Sequence, residues 1–531
     1  MMYSLTRLIF SNQNAGYRLS SRFMNISTPI TRGRYATDQL EYVKSAILST
    51  GNLEWPTLKK NTLEIKGSIN SKNIDAVLLK VMVNSRKFDA ALSFAEYLRS
   101  TNKELNLGSI NGLLVLFYEM GKVNELAEEH KTFILESYKD LYNKYKVLDS
   151  TTCEKLIHAL CVIGEWKKAL KVLDDIKLTS KPSHSAYSVI IASLFQANKK
   201  SEAMKLIERS VSDNRPIQHV AYAAWINYVL KKYKDKKTLI KHLEEINVHI
   251  ANNAVNVTEK TAQFIQETYT NLKWDAQFTR IRKLDGQCMC CNEKLDCLKI
   301  TEEEFISLQG NIKEKLIVGS DLFLKTSPEE LERFLQFVDE TAPYDVVLDA
   351  LNIAYVARNG NLDKVGILNM VVNYFESRNK KMLLLGRKHM LHWPRKQMQR
   401  IMGKTCSFFT EDLSQDDPYF ITAAILSGSH TDFVSKDLLR GHTFLLKDER
   451  LRLVFRRWQW QHQYMVFLNK SRRLLVQPPL KFTPCAQKRD SAWHLPYEKD
   501  EEMESSGQIN DGTPDLTSWL CLRPQKIINK L

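Results

Sequence analysis

Tyr344-Asp345-Val346-Val347-Leu348-Asp349-Ala350-Leu351-Asn352 is the stretch from which the fold can be read. Three consecutive apolar residues ending on a carboxylate predict a short strand buried on both faces, because a half-exposed strand would alternate. Lys381-Met382-Leu383-Leu384-Leu385-Gly386 has the same character, Cys406–Phe409 and Phe433–Ser435 predict two more strands, and Thr443–Leu446 a fifth. Between them, 362–377 and 418–426 carry helical apolar spacing. Strand–helix alternation of this kind predicts a parallel sheet covered on both faces, with its working crevice at the carboxyl ends of the strands.

The acids are placed accordingly. Asp349 ends one strand, Asp416 and Asp417 lie between a strand and a helix, and Asp437 closely follows another strand. Four carboxylates on one edge repel one another unless cations intervene, so the pattern predicts bound Mg²⁺ or Mn²⁺, the chemistry suited to in-line attack on a phosphodiester. Taken singly, each acid also has a structural explanation: Ser414-Gln415-Asp416-Asp417 reads as a capping box, and Asp437 as a helix cap. Asp345 and Asp432 begin strands and are expected at the opposite edge. Downstream, residues 436–489 hold 13 Lys/Arg against three acids, with aromatics interleaved. Arg456, Arg457, Arg472 and Arg473 are therefore expected to suit a phosphate track, a solvated basic face being the alternative.

Before this region, Cys288-Met289-Cys290-Cys291 offers two thiolates at C-x-x-C spacing, which can grip one tetrahedral metal ion. No second such pair lies nearby; Cys297 is close, while Cys485, His494 and Cys521 are remote, and redox chemistry or plain burial remain open. The nine cysteines are odd in number and clustered, which argues against a disulfide framework.

Further upstream the chain repeats itself. Leu156–Leu160 with Ala169–Leu173 matches Ile190–Leu194 with Ala203–Ile207 at an offset of 34, and Ala186-Tyr187 matches Ala221-Tyr222 at 35. A period of 34–35 with two helices per unit predicts stacked helical hairpins. A longer helical insertion is expected between Ala127 and Thr151. The segment resembles pentatricopeptide repeats, a family that binds RNA along its concave face; a protein-binding solenoid is the alternative.

The first 37 residues contain no Asp or Glu but five Arg, with frequent Ser and Thr, the composition of a mitochondrial presequence. Across all 531 residues, 76 Lys+Arg against 61 Asp+Glu leave a net charge of +15, which favours a polyanionic partner. No run of 18 uncharged apolar residues occurs, so a membrane partner is not expected.

Helical repeats, a cysteine knuckle and a carboxylate-rich α/β domain, in this order, resemble protein-only ribonuclease P, and its animal mitochondrial branch most closely. The resemblance rests on Tyr344–Asn352, Gly386-Arg387-Lys388-His389-Met390, Asp416-Asp417-Pro418, Ser427-Gly428 and Ser435–Arg440, with Trp493-His494-Leu495-Pro496 and Trp519-Leu520-Cys521. Ala350 stands where the family usually has Gly, and Gly441 where it often has an acid.

The resemblance implies a multidomain α and α/β protein. Its expected parts are a presequence (1–40), a linker (41–64), a pentatricopeptide solenoid (65–275), a zinc-binding domain in two halves (276–299 and 487–531), and between them a PIN-like NYN metallonuclease domain (300–486). It implies Asp349, Asp416, Asp417 and Asp437 as catalytic ligands of Mg or Mn, two ions being expected. Cys288, Cys291, His494 and Cys521 would hold one structural Zn, leaving out Cys290, Cys297 and Cys485. The implied activity is removal of 5′ leaders from mitochondrial precursor tRNAs in the matrix, with a tRNA methyltransferase and a short-chain dehydrogenase as partners. A catalytically dead RNA-stabilising protein and a general single-strand endoribonuclease are the rival readings.

Overall fold

The computed structural model describes residues 35–49, 54–101, 104–178, 180–213, 215–297, 299–312, 328–356, 363–411, 416–435, 449–468, 473–499 and 515–525. Residues 1–34, and with them most of the expected presequence, lie outside the described residues, as do Asp437, the expected strand at 443–446 and Arg472. The chain divides into two compact units, 1–182 and 183–531. No described helix is long and apolar enough to cross a membrane.

The first unit is helical throughout its described length, from Tyr35–Leu48 to Trp166–Ile176. Residues 41–48 and 55–64, within the expected linker, instead belong to two helices that pack on each other. Gln39, Val43 and Ile47, spaced by four, are buried on one helix, and Trp55, Leu58 and Thr62 on the next. The Gln39 carboxamide closes the pair: it donates to the carbonyls of Thr62, Ile65 and Ile69 and accepts from the Ile69 amide at 2.8 Å. The basic, acid-poor composition upstream masks this period of four. The longer helical insertion expected between Ala127 and Thr151 is present as an extended helix. That segment holds the second helix of a hairpin, Glu128–Lys144, drawn out to 17 residues where Trp166–Ile176 has 11.

The second unit begins with the hairpins His184–Gln196/Lys200–Ser212 and His219–Lys232/Lys236–Asn252, followed by the helix Glu259–Asn271. Each first helix presents small and apolar residues (Ala186, Ile190, Ala221, Trp225), all fully buried.

Eleven strands occur among the described residues: β1 (Val257–Thr258), β2 (Trp274–Thr279), β3 (Val346–Asp349), β4 (Met382–Arg387), β5 (Cys406–Thr410), β6 (Asp432–Val434), β7 (Gln463–Leu468), β8 (Leu474–Gln477), β9 (Gln487–Arg489), β10 (Ala492–Glu498) and β11 (Trp519–Pro524). One sheet runs β1-β10-β11-β2 with β9 on β10, so strands from before and after the α/β domain form a single layer. The expected boundary at 275/276 therefore falls inside β2, and the sheet recruits β1 nearly twenty residues earlier.

The other sheet runs β5-β4-β3-β6-β7-β8, parallel except for the last pair. Successive residues of β3 point to opposite faces: Val347 joins a core with Leu383, Phe420, Phe433 and Trp458, while Val346 and Leu348 join another with Leu368, Val372, Leu384 and Val466. Helices cover both faces, including Pro328–Thr341, Asp416–Ser427 and Glu449–His462 on the first and Lys364–Glu376 on the second. The four described strands expected from the sequence are present. β7, which follows the helix Glu449–His462 directly, was not expected.

Candidate functional site

The strand order sets the site. From β3 the chain proceeds outward through β4 and β5, then returns to place β6 and β7 on the other side of β3. The order thus reverses between β3 and β6, and at such a point the flanking connections diverge and leave a crevice at the carboxyl edge. Asp349, the last residue of β3, stands there. One carboxylate oxygen accepts the Asn352 amide at 3.0 Å, the cap of the short helix Ala350–Ala354, and the other accepts the Ser435 hydroxyl at 3.2 Å across from β6. Ala350 is fully buried and is not among the described residues with positive φ, so the position does not demand a glycine.

The helix carrying Asp416 and Asp417 runs back across the sheet. Its last residue, Ser427, accepts the Tyr344 amide at 2.6 Å just before β3, at the amino edge. At 1.5 Å per residue, twelve residues span roughly 18 Å, which carries the backbone of Asp416 and Asp417 to the carboxyl edge with Asp349. The side chains of both, and all of Asp437, lie outside the described residues. Asp437 is two residues beyond Ser435, which follows the end of β6.

Asp345 and Asp432 lie at the opposite edge. The Lys381 amide, and the Lys380 ammonium behind it, hold the Asp345 carboxyl below its ordinary range; Asp432 opens β6 and meets His462 at 3.2 Å. Ser435 itself was not singled out by the sequence as a partner of Asp349. Its carbonyl accepts the Gln463 carboxamide at 2.7 Å, and Gln463 in turn accepts from Gln459 at 2.9 Å. The only sequence signals are one hydroxyl and one amide interrupting apolar runs.

Two expected phosphate-track residues have other duties. Arg456 donates to the carbonyls of Asn253 and Ala254, and Arg457 pairs with Glu304 at 2.9 Å. A sequence shows the charge of an arginine but not its partner.

The second cluster lies in the other sheet. Gly286, at φ +74, turns the chain beneath Phe482, whose ring would lie 2.7 Å from any β-carbon there. The following turn is closed by the Cys288 amide on the Glu293 carbonyl and the Asn292 amide on the Cys288 carbonyl. This points the Cys288 and Cys291 sulfurs toward β10 and β11, where His494 and Cys521 are direct cross-strand partners. The four ligand atoms lie within 4.8 Å of one another, with His494 Nε2 3.1 Å from Cys291 Sγ. Cys288, His494 and Cys521 are fully buried.

Hydrogen bonds from Cys291 and Cys521 draw the Cys288 thiol well below its ordinary range, and Cys521 is pushed up in return. Burial disfavours the His494 cation, yet its bonds to Cys288 and Cys291 outweigh that and raise it to about 9. Three sulfurs and one imidazole converging in a buried pocket are the donor set of a tetrahedral soft-metal site, and these residues fit a metal ion. Cys290 instead points to Gln277, and Cys297 and Cys485 lie outside the cluster.

Helical hairpins, a Cys₃His cluster and an α/β sheet with the Asp349 carboxylate at its switch point are the parts of a nuclease joined to a helical-repeat region. Residues 282–521 match the model of the family described as "Protein-only RNase P". The chain is 29% identical over 482 residues to the mitochondrial ribonuclease P catalytic subunit of Mus musculus, covering 88% of this chain and 78% of that one. It is 23% identical over 265 residues, 48% of this chain and 42% of the other, to proteinaceous RNase P 1, chloroplastic/mitochondrial, of Arabidopsis thaliana. In fold it resembles the crystal structure of nuclear proteinaceous RNase P 2 from A. thaliana, with a TM-score of 0.50 and 17% identity, covering 86% of this chain and all of that one.

Proposed function

We infer that this protein is a metal-dependent endoribonuclease of the ribonuclease P type, which removes 5′ leaders from mitochondrial precursor tRNAs and leaves a 5′-phosphate on the tRNA. The observation that carries this reading is the family match over 282–521, a span holding both Asp349 at the switch point and the four-residue Cys/His cluster.

Asp349, Asp416, Asp417 and Asp437 are the proposed ligands of two Mg²⁺ or Mn²⁺ ions. When bound there, such ions acidify a coordinated water and offset charge developing on the phosphate oxygens. The chain's own contribution is orientation. Asn352 and Ser435 fix the Asp349 carboxylate, and the buried Gln463 fixes the backbone of Ser435, so the first ligand does not have to be ordered when RNA arrives. Cys288, Cys291, His494 and Cys521 would hold one structural Zn²⁺, which joins the chain before the α/β domain to the chain after it.

The proposed setting is the mitochondrial matrix, and the proposed partners are a tRNA methyltransferase and a short-chain dehydrogenase. The test is incubation of the full chain with a 5′-extended mitochondrial tRNA, with and without those partners, in Mg²⁺ or EDTA, mapping the cut. A single Mg²⁺-dependent cut at the leader junction is expected. Binding without cutting would make the chain an RNA-stabilising protein, and equal cutting of unstructured RNA would make it a general endonuclease.

A further inference from the structure

The helix Glu449–His462 faces three structures at once. Val454, Phe455 and Trp458 are buried in the α/β core, and the helix runs without a break into β7, whose Gln463 braces Ser435 beside Asp349. Arg452 and Arg456, four residues apart and therefore on one side of the helix, reach the helical hairpins instead. Arg452 Nη1 donates to the Ser212 carbonyl at 3.3 Å, and Arg456 Nη1 donates to those of Asn253 and Ala254 at 2.9 and 3.2 Å.

These carbonyls are not arbitrary points. Ser212 ends the helix Lys200–Ser212, and Asn253 caps Lys236–Asn252, the second helices of two successive hairpins. The last carbonyls of a helix lack an intrahelical donor and carry the negative end of its dipole, so a guanidinium satisfies both deficits. Two such ends, presented side by side by the stacking of the hairpins, are gripped by one turn of a single helix. Arg452 is only 7% exposed, so its charge is largely withdrawn from solvent.

A second attachment joins the same hairpin to the Cys/His module. Glu244 accepts from Lys488 at 2.7 Å and from the Trp493 indole at 3.3 Å, and β1 pairs with β10. With that attachment alone, the α/β domain could pivot relative to the hairpins. With both, the distance from hairpins to Asp349 is fixed through an unbroken path of helix, β7 and β6.

We propose that Arg452 and Arg456 are positioning residues that select the cleavage site, holding the catalytic edge at a set distance from the helical array on which the RNA body rests. This rests on the ribonuclease reading above. The described contacts of the two arginines go to hairpin carbonyls, so on this proposal they govern where the RNA is cut rather than how fast.

The experiment compares the full-length wild type with Arg452→Gln/Arg456→Gln and with Arg456→Lys on one 5′-extended tRNA. Product 5′ ends are mapped to the nucleotide below the melting temperature, and near-UV circular dichroism verifies folding. In the double variant the misplaced fraction should rise roughly tenfold, the effect of losing about one charge-assisted hydrogen bond of restraint. Arg456→Lys, which keeps the charge but not the fork, should fall between. A folded double variant that cuts only at the correct phosphate, more slowly or not, overturns the proposal. So does a double variant that fails to fold, since the pair would then be a stability element. A wild type that makes no cut at the leader junction refutes the ribonuclease reading instead.

Discussion

Cys521→Ser tests the metal module through its stability. The cluster joins Cys291 to His494 across 203 residues of sequence. Treated as a cross-link, closing a loop of that length removes about 5 kcal/mol of chain entropy from the unfolded ensemble. Serine keeps the shape and a hydrogen bond to His494 but is a poor soft-metal ligand, so occupancy and most of this closure should be lost. The apolar cluster around the site (Ile281, Leu295, Phe482 and Trp519) is untouched, so the loss should be partial rather than global. At 2–4 °C per kcal/mol for domains of a few hundred residues, melting should fall by roughly 10 °C. Metal analysis should find about one Zn²⁺ per wild-type chain, reduced in the variant. Hydrogen exchange should accelerate in β2, 286–295, β10 and β11, while the Mg²⁺ concentration for half-maximal cleavage stays unchanged. Wild-type protein stripped of zinc that melts within about 2 °C of the native form would refute the reasoning.

The other predictions concern separate parts of the chain. Asp349→Asn, Asp416→Asn and Asp417→Asn should each slow single-turnover cleavage by on the order of a thousandfold while leaving RNA binding intact, with Asp437→Asn in the same direction. Asp432→Asn, at the amino edge, should stay near wild type; the reverse pattern would place the metal site elsewhere. Affinity for precursor tRNA, measured by filter binding in Ca²⁺, should fall steeply with salt, a flat profile excluding phosphate contacts as its source. Gln39→Ala removes four hydrogen bonds, three of them buried, and should destabilise the first unit by about 3 kcal/mol, seen as a lower denaturation midpoint.

What the sequence reveals depends on how local the cause is. β3 and β4 are legible because burial on both faces demands an unbroken apolar run. β7 is not: Gln463–Leu468 follows a helix with no Gly or Pro between, and Tyr464 and Phe467 stand four and seven residues after Trp460, a helical spacing. The carboxylates could be ranked by strand end, which separates Asp349 from Asp345 using topology alone. The partners of the arginines on 449–462 could not, since carbonyls of Ser212 and Asn253 leave no trace in the side-chain sequence. The C-x-x-C pair was visible from spacing. His494 and Cys521 were, with Cys485, remote candidates among which only the resemblance chose, for no spacing rule reaches across the 203 residues from Cys291 to His494.

That long gap has a physical explanation in how the two sheets are threaded. The α/β domain lies between the two halves of the metal module, and the chain leaves and returns at nearly one point. The Asp296 amide donates to Gln487 at 2.8 Å, the Thr483 amide donates to the Asp296 carbonyl at 2.9 Å, and Arg489 pairs with the Asp296 carboxylate. An inserted domain is tolerated when its ends are close together, because the host sheet then closes as though uninterrupted. The clasp at Asp296 does that locally, and the Cys/His cluster joins the same two stretches of chain a second time. Loss of metal therefore leaves the clasp to keep the ends together, while loss of the clasp leaves the metal. Only the combination of Cys521→Ser with Gln487→Ala, which removes the side chain that accepts the Asp296 amide and donates to the Thr483 carbonyl, should release the α/β domain to unfold independently, giving two melting transitions where the wild type gives one. A single transition in that double variant would show that packing between the sheets, rather than the two closures, holds the insertion in place.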